Sequence, residues 1–145
     1  MNKITPFLWF DGQAEEAARF YTSIFKNSTI DRISGMSATF RLDGQRSIAL
    51  NGGPQFKFTE AISFFVDCKT QEEVDELWDK LSAGGEPGRC GWLKDKFGVS
   101  WQIIPSILGE MLQDEDDSKS GRVMQAMLQM GKIDINALTR AYEGP

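Results

Sequence analysis

The chain presents one order of elements twice, and that repetition limits the folds open to it more than any other feature. In the first copy Ile4, Pro6, Leu8 and Phe10 alternate with Thr5, Phe7 and Trp9, the period of a strand. Asp11-Gly12 breaks the strand, and residues 14–25 read as a helix. Ala17, Phe20, Tyr21 and Ile24 form its apolar stripe, with Glu15, Glu16 and Arg19 turned outward. Three short strands follow at 28–33, 37–42 and 46–51, the last two joined by the Asp43-Gly44 turn. In the second copy residues 61–67 (AISFFVD) resemble PFLWFD. Thr70 and Glu73 have the spacing of a capping box. A helix over 72–81 should bury Val74, Leu77, Trp78 and Leu81, and strands should follow at 90–93 and 99–104.

The order predicts an α+β protein of 1–145 as a single domain: a first module over 3–53, a second over 54–105 and a C-terminal helical extension over 106–145. In that extension 106–113, 120–130 and 136–142 read as helices. Met124, Met127, Leu128 and Met130 form a flexible apolar stripe, suited to a core or a subunit contact. A chain of 145 residues can bury a real core.

Charge narrows the partners. Sixteen Lys+Arg stand against 21 Asp+Glu, for a net charge of -5, and no basic stripe is visible. Nucleic acid is therefore not an expected partner. The acidic run Asp114-Glu115-Asp116-Asp117 reads as a solvated loop. No apolar stretch approaches the ~20 residues of a membrane span, and residues 1–6 lack the apolar core of a signal peptide. Two cysteines, Cys68 and Cys90, fit a reducing compartment. A cytoplasmic protein with no membrane partner is expected.

Three stretches carry a family resemblance: FDGQAEEAARFYTSIF, LNGGPQFKFTEAISFFVDCKTQEEVDELWDKL and CGWLKDKFGVSWQIIP. Over about residues 3–105 the chain resembles the PhnB-like branch of the vicinal oxygen chelate (glyoxalase/bleomycin-resistance) superfamily. That branch is often labelled a demethylubiquinone methyltransferase domain. The resemblance implies two βαβββ modules whose curved mixed sheets enclose a cavity. It also implies a homodimer, with module exchange in some members. The methyltransferase label finds no support in the residues. Gly52-Gly53-Pro54 follows a strand without opening a helix, and Gly84-Gly85 closes one, so no dinucleotide-type glycine turn exists.

Metal-dependent members of the superfamily use His and Glu on inward strand positions. This chain has no histidine. The glutamate of the superfamily's late-strand motif is replaced by Gln102, and the comparable first-module position falls near Asn51. The early-strand positions fall near Thr5 and near Ala61 or Ser63. None is a strong ligand for a first-row metal, so neither a metal nor another cofactor is expected. Asn51 and Gln102 can instead offer amides to a small ligand, or satisfy nearby backbone groups.

Trp9, Phe56, Phe58, Phe65, Trp92 and Trp101 could line a pocket or build core. Strand alternation sends Trp101 to the core and Gln102 to the pocket. Cys90 follows Arg89, which could lower its pKa, but no histidine exists to act as its base. Lys94-Asp95-Lys96 reads as a solvated turn, with Asp95 setting loop geometry. Tyr21 lies on the buried helix face. The candidate ligand-binding residues are Trp9, Asn51, Phe56, Ser63, Cys90, Trp92 and Gln102. The reading that follows is a metal-free, dimeric binder of an unidentified small molecule. The alternatives are a superfamily enzyme with a non-standard site, using Cys90, Tyr21 or Asp95, and a structural or partner-binding dimer.

Overall fold

Each half of the chain builds a four-stranded mixed sheet with one helix inserted after its first strand. The computed structural model describes residues 2–145, and the chain divides into two units, Met1–Phe58 and Thr59–Pro145. The first holds β1 (Phe7–Phe10), α1 (Ala14–Ile24), β2 (Thr29–Ile33), β3 (Ser37–Leu42) and β4 (Gln45–Asn51), in sheet order β1-β4-β3-β2. The second holds β5 (Phe64–Cys68), α2 (Gln71–Ser82), β6 (Glu86–Pro87), β7 (Trp92–Lys94) and β8 (Ser100–Pro105), in order β5-β8-β7-β6. In both, the first strand pairs parallel with the fourth and the other pairings are antiparallel. The two βαβββ modules implied by the resemblance are therefore present. Strand β6 was not legible: it is two residues long and contains Pro87.

The first unit packs α1 close to its sheet. The buried helix residues are Ala14, Ala17, Ala18 and Tyr21, with Phe20 and Ile24 half-buried. The stripe is thus rotated from the expected one toward Ala18, because small alanines admit a close approach of helix to strand. Tyr21 meets Phe40 of β3 with ring centroids 6.1 Å apart. Phe40 and Ala38 lie opposite Ser47 and Ala49, so these four share the helix-bearing face.

In the second unit Thr70 caps α2, its hydroxyl accepting from the Glu73 N–H. Glu73 reaches back to the Lys69 N–H, one residue further than a standard capping box. Val74, Leu77, Trp78 and Leu81 are the buried residues of α2, as their spacing predicts.

The turn from β7 to β8 is not solvated as expected. Asp95 is only 2% exposed, and its side chain organises the turn. The Phe97 and Val99 backbone N–H groups donate to Oδ1 at 2.9 and 3.0 Å, and the Trp101 indole donates to Oδ2 at 2.9 Å. The lysines on either side carry their charges outward, which made the tripeptide look polar throughout.

The last helices, α3 (Ser106–Leu112), α4 (Asp117–Leu128) and α5 (Ile135–Glu143), join the second unit. Ile104, Leu108, Met111, Val123, Ile133 and Leu138 form one buried cluster. Gly91 lies beneath it: a Cβ there would sit 2.6 Å from Ile104 Cδ1, and its φ is +85°. Cys90 also has positive φ, 58°. These two left-handed residues delay the expected strand start from Cys90 to Trp92. Their N–H groups donate to the Met130 and Gly131 carbonyls. The Gln71 amide clamps the same segment, donating to the Ile133 carbonyl and accepting from the Ile135 N–H. The Gln71 side-chain amide and the Lys132 ammonium hold Asp75 below the usual carboxylate range. The acidic run departs from a plain solvated loop as well: Asp116 caps α4 and Asp114 accepts from the Tyr142 hydroxyl.

Two stability predictions follow from these contacts. Asp95→Ala strands three donors and should cost about 3 kcal/mol in urea denaturation. Asp95→Asn keeps an acceptor oxygen and should cost less, and equal losses would contradict this account of the turn. Ile133→Ala should cost about 2–5 kcal/mol and weaken the second unit. An unchanged urea midpoint would show that the extension is not part of its core.

Candidate functional site

The register of the parallel pairs decides which residues share a face. Phe10 and Cys68, both buried, end the strands that lead into the helices, and they lie opposite Asn51 and Pro105. Three positions back, Phe7 faces Ile48 and Phe65 faces Gln102. Phe7 and Phe65 are 58% and 60% exposed, which marks them as equivalent positions.

This register corrects the expected pairing of Asn51 with Gln102. Gln102 corresponds to Ile48, and Asn51 to Pro105. A shift of three residues is odd, so it moves a side chain to the opposite face. Asn51 lies on the helix-bearing side, where its Oδ1 accepts from the Ala14 N–H, the first of α1, at 2.8 Å. Its Nδ2 donates to the Gly35 carbonyl at 3.2 Å. Its amide thus satisfies backbone groups, the other use open to it.

On the second sheet Trp101 and Ile103 are buried, at 2% and 0% exposure, and Gln102 between them is half-buried. Gln102 therefore points to the face opposite Trp101, as alternation predicts. There its Nε2 donates to Ser63 Oγ at 3.0 Å. Trp92 lies directly opposite Gln102 on β7 and shares this face. Three expected residues, Ser63, Trp92 and Gln102, are brought together. Ser100, on the same face two residues before Gln102, was missed. Its small polar side chain gave no signal in the sequence.

Trp9 and Phe56 form a separate pair in the first unit, edge to face at 4.9 Å. The Trp9 indole donates to the Gly53 carbonyl at 2.9 Å, and Gly52 has no room for a Cβ, which would lie 2.2 Å from the ring. Cys90 sits on the seam where the Met130–Gly131 segment docks. Cys68 is buried, and that burial, with Glu73 and Asp67 adding, pushes its thiol up to about 12. It stays protonated at neutral pH and is a poor nucleophile.

The superfamily's metal does not fit these residues. The resemblance places its ligands in the second unit near Ala61 or Ser63 and at Gln102, where the side chains offer a methyl or a hydroxyl and an amide. Gln102 spends its nitrogen on Ser63, and the corresponding late-strand residue of the first unit is Ile48. Among the described residues no group of three or more His, Cys, Asp or Glu side chains gathers as a metal site. Neutral hydroxyls and an amide hold divalent first-row metals weakly. No helix among the described residues is long and apolar enough to cross a membrane.

Comparison with known proteins places this geometry. The 3-demethylubiquinone-9 3-methyltransferase family model matches residues 2–104. The PhnB protein of Bacillus cereus, which bears the same methyltransferase description, is 41% identical, with a TM-score of 0.66 over 72% of this chain and 99% of that one. Protein PA1353 from Pseudomonas aeruginosa is 19% identical, with a TM-score of 0.61 over 72% and 98% of the two chains. A glyoxalase-related enzyme from Fulvimarina pelagi shares the fold at 14% identity and TM-score 0.52, over 74% and 91%. No curated protein matches. The helices after residue 105 lie outside the family match. The chain belongs to the PhnB-like, 3-demethylubiquinone-9 3-methyltransferase family.

Proposed function

We propose that this chain is a metal-free small-molecule-binding protein, and that its ligand meets the face of the second sheet carrying Ser63, Trp92 and Gln102. The observation that carries the reading is the Gln102–Ser63 hydrogen bond, made near the positions where the resemblance implies imidazole and carboxylate ligands in metal-dependent members. An amide and a hydroxyl beside an indole can orient a ligand through hydrogen bonds and apolar contact. They supply no Lewis acid and no strong base, which favours binding over catalysis. The family name describes methyl transfer, but the chain has no glycine-rich turn between a strand and a helix to hold a nucleotide cofactor.

The protein acts as a homodimer in the cytoplasm on this reading. Its acidic charge and sparse cysteines support the compartment. Apolar side chains left in solvent support the dimer: Ile4 and Phe7 in the first unit, Ile62 and Phe65 in the second, at 84%, 58%, 74% and 60% exposure.

Thermal-shift screening against metabolite and antibiotic libraries should find compounds that raise the melting temperature, with the rise lost in Gln102→Leu. A screen without hits would oppose the binding role. Metal analysis after dialysis should recover far less than one zinc, nickel or iron per chain, and a stoichiometric metal would overturn the metal-free reading. Light scattering should give twice the 16.3 kDa chain mass.

A further inference from the structure

One buried polar group on this face has no use within the fold. Ser100 is 1% exposed, and its Oγ has no hydrogen-bond partner among the described residues. Buried hydroxyls are almost always satisfied, so an orphan one points to a group from outside. Strand pairing fixes where it points. Ser100 lies two residues before Gln102 on β8 and opposite Lys94 on β7, so all three share the face opposite α2.

What covers Ser100 is also visible. Lys94 Nζ forms an ion pair with Glu60, in the segment leading into β5. The sheet order β5-β8-β7 places β8 between the two. The pair therefore crosses β8 on the face that Ser100 occupies. Both side chains are exposed, and solvent screening leaves such a pair weak enough to part.

Two neutral hydrogen-bonding groups here are uncommitted. Gln102 Nε2 is engaged by Ser63, which leaves Oε1 to accept. The Ser100 hydroxyl can donate. Around them stand Glu60, Glu86 and Asp67 against Lys94 and Lys69, so negative charge exceeds positive by one, and an anionic ligand would be repelled and would have to displace Glu60. Trp92 offers its ring opposite Gln102.

We propose that Ser100 is the inner anchor of the ligand site, and that the ligand is a neutral aromatic carboxamide or lactam. Its carbonyl accepts from the Ser100 hydroxyl, its N–H donates to Gln102 Oε1 and its ring lies against Trp92. This inference rests on the small-molecule reading above and specifies the ligand class that the reading leaves open.

The test titrates benzamide, benzoate and ethylbenzene into the full chain. The readouts are the Gln102 side-chain amide and Trp92 indole signals in 1H–15N NMR. Benzamide should shift both signals saturably and bind more tightly than either other probe. Ser100→Ala and Gln102→Leu should each weaken it about fivefold, the size of one neutral hydrogen bond. Ser100→Ala should keep its melting temperature, because the lost hydroxyl had no partner, so weaker binding could not be ascribed to unfolding. Unchanged benzamide affinity in Ser100→Ala would overturn the anchor. Benzoate or ethylbenzene binding as tightly as benzamide would overturn the ligand class while leaving a small-molecule role intact. If no probe moves either signal, the proposal fails, and the library screen then decides the broader reading separately.

Discussion

The buried carboxylate of Asp95 is the interaction on which the second unit's face depends. It gathers two backbone N–H groups of its own turn and the indole of Trp101. That fixes how β8 leaves the turn, with Trp101 inward. Strand alternation then leaves Ser100 and Gln102 no choice but the other face. A slip of one residue would bury the amide and expose the indole. The chemistry of the face is thus set by a carboxylate that does not belong to it.

The two units use one topology for unlike ends. Phe7 and Phe65 are equivalent and similarly exposed, yet the residues opposite them are Ile48 and Gln102. The first unit turns an apolar residue where the second turns an amide. The second unit also carries three helices beyond the family match, held by the Ile104–Ile133 cluster and the Gln71 clamp. Because Ile104 shares the face of Gln102, those helices pack at the far end of that face, beyond Gln102.

Much of the fold was legible because its signals are local. Alternation in β1 and β8, the Thr70 cap and the Val74–Leu77–Trp78–Leu81 stripe each depend on residues a few positions apart. The site was less legible because it depends on pairing between distant strands. Gln102 and Ser63 could be placed from alternation and family pattern, but Asn51 was matched to the wrong partner. Equivalence had to be counted from Phe10 and Cys68, and no local pattern reveals that register. Ser100 was invisible for a different reason: an orphan hydroxyl is defined by the partners it lacks. Asp95 looked solvated because Lys94 and Lys96 flank it, and only the three-dimensional turn shows its donors.

The central claim is that residues 63 and 102 stand side by side on one face of the second sheet and offer a hydroxyl and an amide where imidazole and carboxylate would bind a metal. Calorimetric titration of nickel into the Ser63→His/Gln102→Glu double variant tests it directly, with circular dichroism confirming an unchanged fold. The account predicts that the double variant binds nickel at least about tenfold more tightly than the natural chain, since imidazole and carboxylate are the ligands such metals prefer. Equal affinity in the two proteins, with the fold intact, would contradict it.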